Sequence, residues 1–248
     1  MTSDLKDIVI VGSGHAGVEL AASLRQRGFD GSVTIVGDEP DLPYQRPPLS
    51  KEFLKSSDDA GLPLKGEAFF PANGITLLLG VRAERIDRDR REVLLSDGER
   101  LRYDHLALAT GARNRIPPIA GLDRGLLLEL RTLKDARALN ERLSALRHVT
   151  IVGGGFIGLE VAGLLRARGI DVDVVEAAPV LMGRVLSRRM SDYFRAFHEA
   201  LGTRLHLETT VQQVAHGSPS TRVDLSDGRR LETDAIVIAA GIMPNIEL

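Results

Sequence analysis

Two stretches of the sequence have the residue types and the spacing that bind a pyrophosphate. IVIVGSGHAG and VTIVGGGFIG each place a G-x-G-x-x-G pattern directly after an apolar run, at Gly12, Gly14 and Gly17 and at Gly153, Gly155 and Gly158. The first glycine allows a tight turn, the second lets the backbone approach a pyrophosphate, and the third lets a helix pack on the strand. The free N–H groups and the positive dipole end of that helix face the phosphates. Each stretch therefore predicts one dinucleotide site.

Acidic residues follow both glycine patterns at the distance where a carboxylate can hold the ribose of the dinucleotide. Asp38 lies 21 residues beyond Gly17, and we divide the ribose role between Asp38 and its neighbour Glu39. Glu176 lies 18 residues beyond Gly158, at the end of a predicted strand, where it can accept the hydroxyls of NAD and repel a 2′-phosphate. The alternative for the first pair is a solvated acidic turn.

The elements that would position these residues occur twice. Each glycine pattern links an apolar strand to a helix, and a second strand leads to the acidic residues. LSDGRRLETDAIVIAAG at 225–241 aligns without gaps with LSDGERLRYDHLALATG at 95–111, and both predict a β-hairpin or meander before an apolar strand. We therefore predict an α/β fold with two Rossmann-like three-layer dinucleotide-binding domains, each carrying a meander. The alternative is a duplicated fold with only one live site.

The first copy also carries a proline-rich insertion, PDLPYQRPPLSKEFLK. Its prolines exclude a regular helix, so we expect a helix to begin only at about Ser50, as its N-cap. Arg46 and Lys51 are then presented from a rigid segment, which suits contact with a phosphate or an electron-rich ring. The alternative is two solvated cations beside a turn.

Composition excludes several classes of protein. The net charge of −2 makes neither nucleic acid nor an anionic membrane surface an expected partner. No apolar run reaches the ~18 residues that span a bilayer, and the N-terminal MTSDLKD does not resemble a signal peptide. The sequence contains no cysteine, which excludes a disulfide relay and a thiolate metal site, and its histidines lack metal-like spacing. We expect a cytoplasmic protein with no metal site.

Two dinucleotide domains in one chain allow a nicotinamide to pass a hydride to a second cofactor, and flavin is an acceptor that can release electrons singly. The motifs LPYQRPPLSKEFL, ATG at 109–111 and FIGLEVA resemble the ferredoxin, rubredoxin and putidaredoxin reductases and apoptosis-inducing factor, among the glutathione-reductase-like flavoproteins. The resemblance implies an FAD-dependent oxidoreductase that passes electrons from NADH to a ferredoxin- or rubredoxin-type iron–sulfur protein. An NADH oxidase, a redox-sensing nucleotide-binding module and an inactive truncated fragment are the alternatives.

The resemblance also assigns residues to the two cofactors. Lys51 would lie near flavin N5, and Glu160 would face it near the nicotinamide; because Glu19 aligns with Glu160, a partly ancestral origin of that carboxylate stays open. His15 is interpreted as a turn residue whose backbone matters. The positions for FAD, together with those of the first glycine pattern and the ATG motif, are Gly12, Gly14, His15, Ala16, Gly17, Asp38, Glu39, Arg46, Lys51, Val81, Ala109, Thr110, Gly111 and Arg113. The positions for NAD, together with the second glycine pattern, are Gly153, Gly155, Phe156, Ile157, Gly158, Glu176, Arg184 and Gly241.

The resemblance further implies a domain order. Residues 1–114 would form the first segment of an FAD-binding domain, 115–147 a connector, 148–242 an NAD-binding domain, and 243–248 the start of a return to the FAD domain. Members of the group complete the FAD domain with a further strand after that return. We therefore expect a C-terminally truncated chain whose FAD domain is incomplete and whose first sheet has an unpaired edge.

Overall fold

A computed structural model of the chain describes residues 6–123, 125–217 and 220–248. Within these residues the helices are α1 (His15–Gln26), α2 (Glu52–Ser56), α3 (Phe69–Ala72), α4 (Leu133–Arg142), α5 (Phe156–Ala167) and α6 (Arg188–Ala200). The strands are β1 (Asp7–Val11), β2 (Ser32–Gly37), β3 (Ile75–Leu79), β4 (Ala83–Asp87), β5 (Glu92–Leu95), β6 (Arg100–Arg102), β7 (His105–Leu108), β8 (Ala112–Asn114), β9 (Leu127–Leu128), β10 (His148–Val152), β11 (Asp171–Val175), β12 (Arg204–His206), β13 (Val211–Ala215), β14 (Thr221–Leu225), β15 (Arg230–Thr233), β16 (Ala235–Ile238) and β17 (Ile242–Pro244). None of these helices is long and apolar enough to cross a membrane.

The chain divides into two compact units. The first takes the chain up to residue 46, residues 59–113 and residues 244–248, and the second takes residues 47–58 and 114–243. The division differs from the predicted domain order in the segment 47–58, which groups with the second unit. Side chains of the second unit hold this segment there, since the Arg168 guanidinium bonds the carbonyl of Leu54 and the Asn140 amide donates to the Ser57 hydroxyl at 2.5 Å.

The first unit has a parallel sheet with the strand order β3-β2-β1-β7. One face packs against α1, where Ile10, Val18 and Ile35 are fully buried. The other face packs against the antiparallel meander β4-β5-β6, with Val9 and Val93 buried between them. Strands of β-branched residues with apolar side chains on both faces are typical of a parallel sheet covered on both sides.

The second unit repeats this arrangement with the parallel order β12-β11-β10-β16-β9. Leu159 of α5, Phe194 of α6 and Leu205 of β12 pack together on one face. Val152 of β10 and Val223 of β14 pack on the other face, beneath the meander β13-β14-β15. The predicted α/β class, with two three-layer units that each carry a meander, is confirmed.

The two sheets differ at the edge beyond the last repeated strand. In the second unit β16 is wholly buried, and β9 pairs with it in parallel. In the described part of the first unit β7 is the edge strand, and Leu108 at its end is 56% exposed.

The insertion and the connector differ in detail from their predictions. Pro47–Ser50 forms a 3-10 turn and α2 begins at Glu52 with Lys51 at its N-cap, so the prediction of Ser50 as the N-cap is wrong. The hydroxyl of Ser50 is engaged by Glu160 instead. The helix expected in the connector is α4, which begins with a capping box between Thr132 and Asp135.

Candidate dinucleotide sites

The first glycine of each pattern is required by a close contact with a neighbouring strand end. Gly12 and Gly153 have φ angles of +118° and +114°, which side-chain-bearing residues rarely adopt. A Cβ atom at Gly12 would lie 2.0 Å from the carbonyl oxygen of Ala109, and one at Gly153 would lie 2.4 Å from that of Ala239. The carbonyl of Ala109, in the ATG motif, therefore packs against the first glycine turn.

The third glycine of each pattern allows close packing of the helix, whereas the second leaves the backbone accessible to a ligand. A Cβ at Gly17 or Gly158 would lie 1.9 or 2.1 Å from the carbonyl oxygen of the first glycine of its own pattern, so both allow the helix to approach the turn. A Cβ at Gly14 or Gly155 would meet no atom of the described residues within 4 Å. The second glycine thus faces open space, where a ligand can reach the backbone.

The helices that start at these turns are not capped by any side chain that the structure describes. Gly14 and Gly155 are the N-caps of α1 and α5, and among the described residues no side chain forms a capping hydrogen bond with either helix. By contrast, the hydroxyls of Thr132 and Ser187 cap α4 and α6. Uncapped donors beside open backbone suit a pyrophosphate, so the residues of both turns fit a bound dinucleotide.

The residues in the first turn of each helix differ in character between the two sites. His15 and Ala16 are exposed in α1, and Phe156 and Ile157 are exposed at 54% and 41% in α5. Large apolar side chains left in water beside an open backbone are available to pack against a ligand.

In the second unit Glu176 follows β11 and its carboxylate is held beside the glycine turn. Its Oε2 accepts the Gly154 N–H at 2.6 Å and its Oε1 accepts the Ala178 N–H at 2.8 Å. Arg184 lies in an exposed turn that is anchored to the same place, because the Met182 N–H donates to the Gly154 carbonyl at 3.0 Å. The carboxylate is thus oriented before any ligand binds.

In the first unit a glycine occupies the position that Glu176 has in the second. The pairing of Val11 with Val36 matches that of Val152 with Val175, so Gly37 corresponds to Glu176. Asp38 is exposed. The predicted ribose carboxylates, Asp38 and Glu39, therefore come directly after the position that corresponds to Glu176.

Glu39 has protein partners that were not predicted from the sequence. Its carboxylate pairs with Arg46 at 2.6 Å and accepts the hydroxyl proton of Tyr44, and the Arg46 guanidinium lies 5.3 Å from the centre of the Tyr44 ring. Tyr44 was missed, although its place in the PYQR sequence next to two proposed site residues was a usable signal. Arg46 and Glu39 are therefore brought together, as a paired cluster in the first unit.

Lys51 lies five residues beyond Arg46 but has a partner in the second unit. Its Nζ lies 2.9 Å from Oε2 of Glu160, and the same oxygen accepts the Ser50 hydroxyl at 2.6 Å. The structure thus brings together the two residues proposed for catalysis and adds Ser50, which the sequence analysis treated only as a helix cap.

The residues after β7 are held by a polar cluster around Asn245. The Asn245 side-chain amide donates to the Thr110 carbonyl at 2.9 Å, and its backbone carbonyl accepts the Thr110 hydroxyl at 2.6 Å. Its N–H donates to the Gly111 carbonyl at 3.0 Å, and Arg113 donates to its side-chain oxygen at 2.9 Å. Asn245 was missed because it is 135 residues from Thr110.

The remaining predicted positions have these surroundings. A hydrogen bond from Arg113 holds the pKa of the exposed Glu247 below its ordinary value. The Val81 N–H donates to the Gly37 carbonyl at 3.0 Å, and the Gly241 carbonyl accepts the Arg115 N–H at 2.9 Å. No group of three or more His, Cys, Asp or Glu side chains in the described ranges is placed to hold a metal ion.

Residues 6–248 match the family described as pyridine nucleotide-disulphide oxidoreductase. The chain belongs to this family. Its 248 residues contain no cysteine, so no redox-active disulfide can be formed within them.

Several relatives are closely similar over almost the whole chain. Rhodocoxin reductase from Rhodococcus erythropolis is 45% identical over 243 residues, which are 97% of this chain and 57% of that protein. A crystal structure of a ferredoxin reductase from Rhodopseudomonas palustris has a TM-score of 0.93 and 42% identity, covering 98% of this chain and 60% of the other. The structure of a covalent putidaredoxin reductase–putidaredoxin complex has a TM-score of 0.91 and 36% identity, covering 97% and 60%. The chain therefore spans about three fifths of the length of these relatives.

Proposed function

We propose that this chain is the dinucleotide-binding part of an NADH-dependent flavoprotein reductase that passes electrons from NADH through FAD to a small ferredoxin- or rubredoxin-type iron–sulfur protein. The observation that carries the proposal is the presence of two open, uncapped glycine turns in one chain, one of them beside an oriented glutamate. The names of the similar proteins, which include rhodocoxin reductase and putidaredoxin reductase, support the same class of reaction.

The first unit holds FAD in this proposal and the second holds NADH. FAD, when bound, would accept a hydride from NADH and release its two electrons one at a time. The α1 and α5 N–H groups would hold the two pyrophosphates. Thr110, Gly111 and Arg113 would contribute to the first site, and Phe156, Ile157 and Arg184 to the second. We also propose a cytoplasmic location, with neither nucleic acid nor membrane as a partner, as the sequence analysis predicted.

Glu176 selects NADH over NADPH. Its two oxygens already accept backbone N–H groups, and each retains a lone pair that can accept a ribose hydroxyl. A 2′-phosphate at the same place would meet a fixed negative charge, which disfavours NADPH.

Lys51 and Glu160 carry the chemistry that the protein itself supplies. We propose that Lys51 acts on the flavin side, where an ammonium favours the reduced anionic ring, and that Glu160 acts on the nicotinamide side. Their mutual contact at 2.9 Å brings the two side chains together.

Calorimetric titration of the chain with FAD and with NADH tests the binding assignments. We expect one site for each, a yellow flavin spectrum in the FAD-loaded protein, and bleaching when NADH is added without oxygen. A chain that binds neither cofactor, or whose flavin NADH does not reduce, contradicts the proposal. Turnover with and without an added ferredoxin then separates a ferredoxin reductase from an NADH oxidase.

The role of Lys51 is tested against a matched lysine. Lys51→Met should slow flavin reduction by about tenfold or more while changing the dissociation constants of FAD and NADH little. Lys65→Met is the control, because Lys65 lies 3.7 Å from Glu19, the counterpart of Glu160 in the first unit. Equal effects of the two substitutions on the rate of flavin reduction would remove Lys51 from its proposed place.

A further inference from the structure

Two neighbouring residues donate to one oxygen of Glu160. The Ser50 hydroxyl lies 2.6 Å from Oε2 and the Lys51 ammonium lies 2.9 Å from the same atom. Among the described residues nothing bonds Oε1 of Glu160. The carboxylate therefore has one doubly held oxygen and one open oxygen.

The two donors differ in how firmly they can fix the carboxylate. The side chains of Lys51 and Glu160 are 49% and 35% exposed, and an ion pair this open to water contributes little by itself and leaves a long side chain mobile. Ser50 is only 8% exposed. Its short side chain loses little entropy on bonding, and a hydrogen bond to a charged acceptor is stronger than a neutral one. Ser50 is thus the donor that sets the position of Oε2.

The backbone before Ser50 keeps its hydroxyl in place. Pro47 and Pro48 fix their own φ angles within the 3-10 turn, and the Lys51 N–H closes the turn onto the Pro48 carbonyl at 3.0 Å. The other acceptor near the Ser50 hydroxyl is the Pro47 carbonyl, at 3.4 Å. Because the charged carboxylate is both nearer and the stronger acceptor, the hydroxyl proton points at Glu160.

The repeated helix supplies an internal comparison. Glu19 is the fifth residue of α1 as Glu160 is of α5. Glu19 lies 3.7 Å from Lys65, is 59% exposed, and accepts no hydrogen bond from a described residue. The glutamate at this helix position is therefore loosely paired in the first unit, whereas in the second unit Ser50 and Lys51 both bond it.

We propose that Ser50 is a positioning residue for the reaction: it fixes Glu160, which orients the Lys51 ammonium together with the Pro47 carbonyl, 3.3 Å from that ammonium, and it leaves Oε1 of Glu160 as a free acceptor. This inference rests on the proposed function. Without Ser50 the lysine and the glutamate remain, but they are joined only by an exposed ion pair.

The experiment compares Ser50→Ala with the parent in the full chain loaded with FAD. We expect flavin reduction by NADH to slow by about fivefold to tenfold, with FAD and NADH dissociation constants unchanged. The rate in Ser50→Ala should also fall between low salt and about 0.5 M salt, because screening weakens the ion pair that remains. The midpoint potential of the bound FAD should become more negative, since a less localised ammonium favours the reduced anionic flavin less.

Two further variants separate positioning from a structural effect. In a Glu160→Ala background, Ser50→Ala should add less than about twofold to the loss of rate, because the serine hydroxyl then has no carboxylate to hold. Ser56→Ala is the control, since its exposed hydroxyl bonds the Glu52 carbonyl and the Asp58 N–H and no other group in the part of the chain that the structure describes. It should leave the rate, the salt dependence and the potential unchanged.

The outcomes separate a failure of the proposed function from a failure of the role proposed for Ser50. A parent chain that NADH does not reduce contradicts the proposed function itself. A reducible parent with a Ser50→Ala variant of equal rate, salt dependence and potential overturns the role of Ser50 alone. Loss of FAD together with a lowered melting temperature in Ser50→Ala, and additive effects with Glu160→Ala, would show that Ser50 is structural and would also overturn it.

Discussion

In each unit the glycine turn lies against the end of the second strand of the sheet. In the first unit the side chain at this contact belongs to the turn, and in the second unit it belongs to the strand end. In the first unit the turn carries Ser13 and the strand end carries Gly37, and a Cβ at Gly37 would lie 2.1 Å from the Ser13 Oγ. In the second unit the turn carries Gly154 and the strand end carries Glu176, and a Cβ at Gly154 would lie 2.7 Å from Leu181 and 3.2 Å from Glu176. In the first unit the Ser13 side chain thus occupies the space that a side chain at position 37 would need, whereas in the second unit Gly154 leaves this space to Leu181 and Glu176.

A second difference lies under the meander of each unit. Asp173 in β11 is fully buried and bonds His148, His206 and Arg204, whereas the equivalent residue in the first unit, by strand register, is Thr34. Burial favours the neutral acid, but the hydrogen bonds from the two histidines and the arginine outweigh it and hold the pKa of Asp173 well below its ordinary value. Of the two equivalent positions, Thr34 and Asp173, the one in the second unit carries a charged cluster and the one in the first unit does not.

The largest expected effects come from the first glycine of each pattern. Gly153→Ala should destabilise the second unit by about 3 kcal/mol and abolish NADH binding, because the new Cβ meets a carbonyl oxygen at 2.4 Å and the φ angle is positive. Gly12→Ala should do the same to FAD binding. Calorimetric titration of each variant with both cofactors checks this. Loss of both cofactors in either single variant would show that the two turns are not independent.

The substitutions Gly37→Ala and Ser13→Gly test the rule that the space between the first turn and its strand end admits one side chain. Gly37→Ala should destabilise the chain by about 2 kcal/mol, because its Cβ overlaps the Ser13 side chain. Adding Ser13→Gly should recover most of that loss, since the double variant then has the arrangement of the second unit. Urea unfolding of the parent, both single variants and the double variant measures the coupling, and strictly additive changes would contradict the rule.

Asp173→Asn should cost about 2 kcal/mol of unfolding free energy at pH 7, less than a fully buried pair because Arg204 is half exposed. Since the folded pKa of Asp173 is depressed, its stabilisation is present above the unfolded pKa of about 4 and is lost as the pH falls below that value. Urea unfolding at several pH values should therefore show the parent and the variant converging in acid. Thr34→Ala is the control, whose difference from the parent should not change with pH.

The smallest effect concerns the ribose carboxylate. Glu176→Ala should weaken NADH binding by about tenfold and leave FAD binding unchanged, because it removes an acceptor already oriented by two backbone N–H groups. Asp38→Ala should not change NADH affinity. Adding Ala177→Arg to Glu176→Ala should raise the affinity for NADPH relative to NADH. Unchanged NADH affinity in Glu176→Ala would mean that the second ribose site is assigned wrongly.

Much of the fold could be predicted from local patterns. The glycine spacing, the apolar strands and the gapless repeat of the meander segment predicted two α/β units, and the position of Glu176 predicted a carboxylate beside the second turn. The exchange at Ser13 and Gly37 was missed, because a pattern read along the chain does not show which side chains share one space.

By itself the sequence determined the elements and the two turns, since a positive φ, an uncapped helix and an apolar strand depend on residues close together in the chain. Only the tertiary structure decided the partners. Lys51 meets Glu160 across 109 residues and Asn245 meets Thr110 across 135, whereas Arg46 stays with Glu39 in the first unit. Such contacts depend on how elements pack, because packing brings together residues that no local period relates.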